Sequence, residues 1–73
     1  MENNTASLDD TTLINLMRAR QKMYELILQL RVDASKTEDP NARILLDFSA
    51  EMMANTVSAF RQYEETIKKA SQK

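Results

Sequence analysis

The feature that most constrains this chain is its lack of helix breakers: glycine is absent and proline occurs once among 73 residues. Glycine and proline mark most turns, so their scarcity favours long uninterrupted helices. The one break stands at Asp39-Pro40, where aspartate suits a helix N-cap and proline suits the first helical position. Near the N-terminus, Asp9 is a second candidate N-cap, and Leu8 and Leu13 stand at the positions of a hydrophobic staple around it.

These signals divide the chain into a flexible N-terminus at 1–8 and a single helical hairpin over 9–73. We predict a first helix over about 10–35, a polar turn at 36–39 and a second helix over about 40–70. Because the turn is short, the two helices are expected to run antiparallel. The predicted fold class is all-α, an antiparallel two-helix hairpin that dimerises into a four-helix bundle.

Dimerisation is expected because a chain this short rarely buries enough apolar surface by itself. Disulfides, a structural metal or association with another chain usually make up the difference. The sequence contains no cysteine and no histidine, so it lacks disulfides and the common nitrogen and sulfur ligands of zinc. We therefore predict no cofactor and no metal, and expect a protein partner, a homodimer or both.

The apolar residues of the first helix spread over a wide arc, about 200° at the helical period, whereas one neighbouring helix covers only about 100°. The excess predicts a surface that binds another protein. The predicted interaction surface comprises Leu13, Leu16, Met17, Met23, Tyr24, Ile27, Leu28 and Leu30. The second helix carries a narrower stripe, which we predict to be the hairpin seam. That predicted seam comprises Leu45, Phe48, Met52, Ala59, Phe60, Tyr63 and Ile67.

Catalytic chemistry is not predicted. Without histidine, cysteine or glycine, the chain offers no common general base, no thiol nucleophile and no glycine-rich phosphate loop. Paired carboxylates occur at helix starts and on polar faces, where capping and solvation explain them. We predict a protein that is not an enzyme, with no catalytic or cofactor-binding residue and no small-molecule substrate.

Membrane association is not predicted either. No apolar run approaches the roughly 18 residues that span a bilayer, and the polar start of the chain is unlike a signal peptide. A cytoplasmic location is expected, with export by a specialised secretion system left open.

A nucleic-acid partner is an alternative based on Arg18 and Lys22, which share one face of the first helix. A solvated face is the preferred interpretation, because a net charge of −1 gives no basic footprint for nucleic acid. In shape alone, the expected dimer is similar to the helical-hairpin RNA binder Rop.

The sequence resembles the sporulation aspartyl-phosphate phosphatases of bacilli. The matching residues are Arg20, Met23, Tyr24, Glu25 and Leu26 in the first helix, Asp39 and Pro40 at the turn, and Ser49, Glu51 and Met52 in the second helix. This resemblance implies a helical regulator that acts on a phosphorylated response regulator. The family continues with an aspartate that is thought to serve the phosphatase chemistry, and Met53 stands at that position here.

The sequence also resembles the needle subunits of bacterial type III secretion systems. The matching residues are Ser7, Leu8, Asp9, Asp10, Asp39 and Pro40. This resemblance implies a subunit or chaperone of a secretion apparatus. The preferred hypothesis is a regulator or adaptor that acts through the apolar face of the first helix, and the secretion subunit, the phosphatase-like regulator and the RNA binder are the alternatives. Partner, organism and pathway are left open.

Overall fold

Two long helices form the protein. A computed structural model describes the backbone of residues 2–71 and the side chains of residues 10–70. Helix α1 spans Glu2–Lys36 and helix α2 spans Pro40–Ser71. The two helices pack against each other along a rod of 57 × 14 × 12 Å. The predicted all-α fold of two packed helices is confirmed.

The start of α1 differs from the prediction. The helix begins at Glu2 and takes in most of the segment expected to be flexible, so Asp9 lies inside the helix and does not cap it. No glycine or proline stands in this segment, so nothing in it breaks the helix. The side chain of Leu8 lies outside the described residues, and the hydrophobic staple stays a prediction.

The turn between the helices is short and held by hydrogen bonds. The carbonyl of Asp39 accepts from the backbone N–H of Arg43 at 2.9 Å, so Asp39 takes the N-cap position of α2. Arg43 also donates from Nε at 3.2 Å and from Nη2 at 2.9 Å to the carbonyl of Thr37. Thr37 follows the last residue of α1, where carbonyls lack helical partners. The first turn of α2 thus holds the end of α1 in place.

The contact between the helices follows a spacing of alternately three and four residues, the repeat of coiled coils. We call these positions the seam. On α1 the buried or half-buried seam residues are Leu13, Leu16, Arg20, Met23, Ile27, Leu30 and Ala34. On α2 they are Leu46, Ala50, Met53, Val57, Phe60, Glu64 and Ile67. A strict repeat keeps each helix facing the other along its length.

Small side chains form the centre of the seam. Ala50 has no exposed surface and clusters with the buried Ile27 and Val57, and Ala34 is buried as well. Met23, Leu30, Met53 and Ala54 are partly buried against this cluster or its edges. No large side chain is fully buried among the described residues, so the hairpin has a thin core.

Candidate interaction surfaces

A charged pair occupies the seam where an apolar pair would be expected. The Nε of Arg20 donates to Oε2 of Glu64 at 2.9 Å. The Glu64 side chain is only 4% exposed and that of Arg20 is 22% exposed. The hydrogen bond to Glu64 raises the pKa of the Arg20 guanidinium above its ordinary value, against a smaller effect of desolvation. We expect an ion pair so placed to favour one alignment of the helices, because a slip would leave a buried charge alone.

The structure divides the predicted interaction surface of α1 into two parts. Ile27 belongs to the core, and Met23 and Leu30 pack against it. Leu13 and Leu16 are half-buried at seam positions. These five residues were predicted to bind a partner, but α2 of the same hairpin covers them. The wide apolar arc of α1 contains two adjacent stripes, and α2 packs against one of them.

The remaining predicted residues of α1 are exposed. Met17, Tyr24 and Leu28 each follow a seam residue by one position, and Ile14 does the same. Leu28 is 64% exposed and Ile14 is 50% exposed. Together these four residues form a second apolar stripe beside the seam, which we call the α1 stripe. Gln21 is the polar residue within it, and no charged residue interrupts it between Ile14 and Leu28.

The predicted seam of α2 requires correction. Leu45, Phe48, Met52 and Tyr63 are among the exposed large apolar side chains, and Ala59 is exposed as well. Only two of the predicted seam residues, Phe60 and Ile67, are half-buried at seam positions. Leu45, Met52, Ala59 and Tyr63 each precede a seam residue by one position, so the predicted stripe was rotated relative to the three-and-four repeat.

The residues of α2 that precede the seam by one position form a stripe of their own, which is exposed except at the half-buried Ala42 and Ser49. We call it the α2 stripe. Its members are Ala42, Leu45, Ser49, Met52, Thr56, Ala59, Tyr63 and Thr66. None of them is charged, and Phe48 lies beside Leu45 and Met52 at helical spacing. An uncharged surface stripe on a helix that is otherwise rich in charged residues is typical of a contact face.

The two stripes lie on opposite faces of the hairpin. In an antiparallel helix pair, residues that follow the seam by one position lie on the same face on both helices. The notch lined by Arg31 and Ser35 of α1 with Asp47 of α2 shows this arrangement, since each of the three follows a seam residue by one position. The α1 stripe is therefore on the face of Asp47, and the α2 stripe is on the other face.

The other candidate residues from the sequence do not come together into a single site. Arg18 and Lys22 are exposed on α1. Met53, at the position that resembles the phosphatase aspartate, is packed against the core. Among the described residues, no group of acidic side chains could hold a metal ion. Within the same part of the chain, neither helix is long and apolar enough to cross a membrane.

Comparison with known proteins gives no relative. No family model matches the chain, no curated protein matches it, and no solved structure matches it. The resemblances to aspartyl-phosphate phosphatases and to needle subunits stay predictions from the sequence.

Proposed function

We propose that this protein is an interaction module, a regulator or adaptor that acts by binding another protein chain and not by catalysis. The observation that carries the proposal is its excess of exposed surface. The chain exposes 5874 Å², whereas a compact monomer of 8.4 kDa exposes about 4600 Å². Its radius of gyration of 16.7 Å likewise exceeds the roughly 11 Å of a compact domain of this length.

Much of that exposed surface is apolar. The exposed large apolar side chains include Ile14, Met17, Tyr24, Leu26, Leu28, Val32, Ile44, Leu45, Phe48, Met52 and Tyr63. Isolated exposed apolar residues are ordinary, but contiguous rows of them mark contact sites. In the proposed form, two hairpins associate into a four-helix bundle and a further protein binds the dimer.

The α1 stripe is the proposed site for that further protein. Its width and helical spacing fit one amphipathic helix, with apolar anchors at helical intervals. Basic residues outnumber acidic ones at its border toward the N-terminal end of α1, because Arg18 flanks it on α1 and Arg61 and Lys68 lie with the acidic Glu65 on the same face of α2. The partner that fits best is a helix whose apolar side is bordered by acidic residues.

The experiment compares the partners captured by three forms of the protein from a lysate of its native cells. Leu28→Glu places a charge on the α1 stripe, and Ile44→Glu places the same charge on an equally exposed apolar residue near the turn, since the two residues are 64% and 65% exposed. A protein captured by wild type and by Ile44→Glu is then purified and titrated against all three. We expect Leu28→Glu to weaken its binding more than roughly tenfold, about 1.4 kcal/mol. Equal binding by all three forms would refute the α1 stripe as the site.

A subunit of a larger assembly is the second candidate function, and the placement of the two stripes favours it. Apolar stripes on opposite faces let each copy contact two neighbours, and head-to-tail contacts of that kind produce open polymers. Sedimentation velocity distinguishes the two functions. Growth of the particles with concentration would favour the assembly subunit, whereas a particle of fixed size would favour the adaptor.

A further inference from the structure

One polar residue interrupts the α1 stripe, and it lies beside the charged pair of the seam. The stripe runs from Ile14 to Leu28, about 21 Å at 1.5 Å per residue, and Gln21 stands at its middle. Gln21 is exposed and directly follows Arg20 in the chain. A helix that packs along the stripe would therefore set the middle of its own apolar side against Gln21, at the level of Arg20.

The ion pair with Glu64 uses only part of the Arg20 guanidinium. An arginine carries five N–H donors, and among the described residues the hydrogen bond of this side chain runs from Nε to Glu64. In the same part of the chain, no buried polar side-chain atom lacks a hydrogen-bond partner, so the two Nη atoms reach the solvent. The side chain is 22% exposed. Its outer N–H groups are therefore within reach of a bound molecule.

These donors lie near the α1 stripe. The hydrogen bond to Glu64 is the largest effect on the pKa of the Arg20 guanidinium and raises it, and Tyr24 also raises that pKa through space. An effect of this kind needs a short distance, and Tyr24 is a member of the α1 stripe one helical turn after Arg20. We call Arg20, Gln21 and Tyr24 the polar interval of the stripe, since each contributes a polar group to an otherwise apolar row.

The charge around the polar interval favours an acidic group. The border of the stripe toward the N-terminal end of α1 holds three basic residues and one acidic residue, namely Arg18, Arg61, Lys68 and Glu65. An apolar side chain placed on the interval would cover N–H donors without pairing them, and buried donors without a partner are costly. A carboxylate accepts strong hydrogen bonds from a guanidinium and complements the basic border.

From these observations we propose that the α1 stripe binds a partner helix with an acidic residue in the middle of its apolar side, whose carboxylate accepts from the Nη groups of Arg20 and from the amide of Gln21. The proposal rests on the proposed function and names the chemistry of its partner. One polar contact within an apolar helix pair fixes the register of that pair. It also disfavours partner helices that are apolar throughout.

Three fluorescent helical peptides of roughly 20 residues, long enough to cover the stripe, serve as probes. Each carries four leucines at the three-and-four spacing of the stripe. The peptides differ only at the central position of that repeat, which holds glutamate, glutamine or leucine and is level with Gln21 whichever way the peptide runs. Wild type is expected to bind the glutamate peptide at least roughly tenfold more tightly than the leucine peptide, measured by fluorescence anisotropy.

Two variants connect this preference to the polar interval. Gln21→Leu changes an exposed residue, so it should keep the helical circular dichroism and reduce the preference for glutamate. Arg20→Met combined with Glu64→Leu removes the guanidinium without changing the net charge, and is expected to make the leucine peptide the tightest binder. Lys22→Met is the matched control, because it removes an exposed positive charge that precedes the seam by one position and so lies on the other face. It should keep the wild-type preference.

The outcomes separate this proposal from the proposed function. Tighter binding of the leucine peptide by wild type, or equal binding of the glutamate and glutamine peptides, would overturn the acidic partner. The α1 stripe would still stand as the site if Leu28→Glu weakened all three peptides. A preference for glutamate that persists without the Arg20 guanidinium would also overturn the proposal. Wild type that binds none of the peptides, or Leu28→Glu that binds them equally well, would overturn the stripe itself as a site for a helix.

Discussion

Arg20 and Glu64 stand 44 residues apart in the chain, and Nε of the first donates to Oε2 of the second at 2.9 Å. The pair lies in the seam. Other positions of the seam hold apolar residues, such as the core residues Ile27 and Ala50. Apolar side chains of similar size can exchange places when two helices slip by one repeat, whereas a buried carboxylate has one acceptable partner. We therefore expect the alignment of the hairpin to depend on this polar contact as well as on the packing of its core residues.

Removing one member of this pair is expected to destabilise the hairpin, and replacing both is expected to restore it. Glu64→Leu leaves the Arg20 guanidinium facing an apolar side chain, so the urea midpoint should fall. The double variant Arg20→Met with Glu64→Leu should unfold at or above the wild-type midpoint, because buried ion pairs rarely exceed apolar replacements in stability. Glu65→Leu, at an exposed neighbouring position, is the control. A double variant weaker than Glu64→Leu alone would contradict this account.

The close approach of the helices at Ala50 leads to a second prediction. Ala50 is fully buried, so Ala50→Leu must push the helices apart. We expect a loss of about 1–3 kcal/mol in the free energy of unfolding, the usual cost of overpacking a core. Ala19→Leu, an exposed position on α1, should change it by less than about 0.5 kcal/mol. Urea unfolding followed by circular dichroism measures both, and equal effects would show that the seam at Ala50 is loose.

The sequence predicted where the helices lie more reliably than which of their faces pack together. The absence of glycine and the single Asp39-Pro40 break were enough to place the turn, because few residues can interrupt a helix. The seam of α2 was misplaced because four of its predicted residues, among them Leu45 and Met52, precede the seam residues by one position. The stripe that precedes the seam on α2 is free of charged residues, whereas the seam contains Glu64, so the absence of charge did not identify the seam.

One signal in the sequence could have corrected the seam. Arg20 interrupts the apolar arc of α1, and a charge at such a position needs a partner on the facing helix. Glu64 is the acidic residue of α2 that continues the repeat of Val57 and Phe60. Pairing Arg20 with Glu64 would have fixed both the alignment and the face. The start of α1 at Glu2 had no comparable signal, since acidic residues near Asp9 are compatible with a cap or with a helix interior.

The turn supplies a third prediction. Arg43 donates two hydrogen bonds to the carbonyl of Thr37, which helps hold the end of α1 against the start of α2. Arg43→Ala is expected to lower the free energy of unfolding by about 1 kcal/mol, the typical net contribution of such bonds. It should also speed amide exchange in the last turn of α1. Arg61→Ala, an exposed arginine within α2, is the control. Unchanged exchange near Thr37 would show that the turn is held by other contacts.

The raised pKa of Arg20 leads to a prediction about alkaline stability. A group whose pKa is higher in the folded state stabilises the fold below its unfolded pKa, and that contribution is lost as the pH rises through the folded value. For arginine this loss begins only above about 12, so the pair should persist throughout the measurable range. In Arg20→Lys the side chain has an ordinary pKa of about 10.4, and its pairing with Glu64 is lost as the pH approaches and passes that region. The difference in urea midpoint between wild type and Arg20→Lys should therefore widen from pH 8 to pH 11. A constant difference over that range would mean that the charge at position 20 does not contribute to the stability of the folded hairpin.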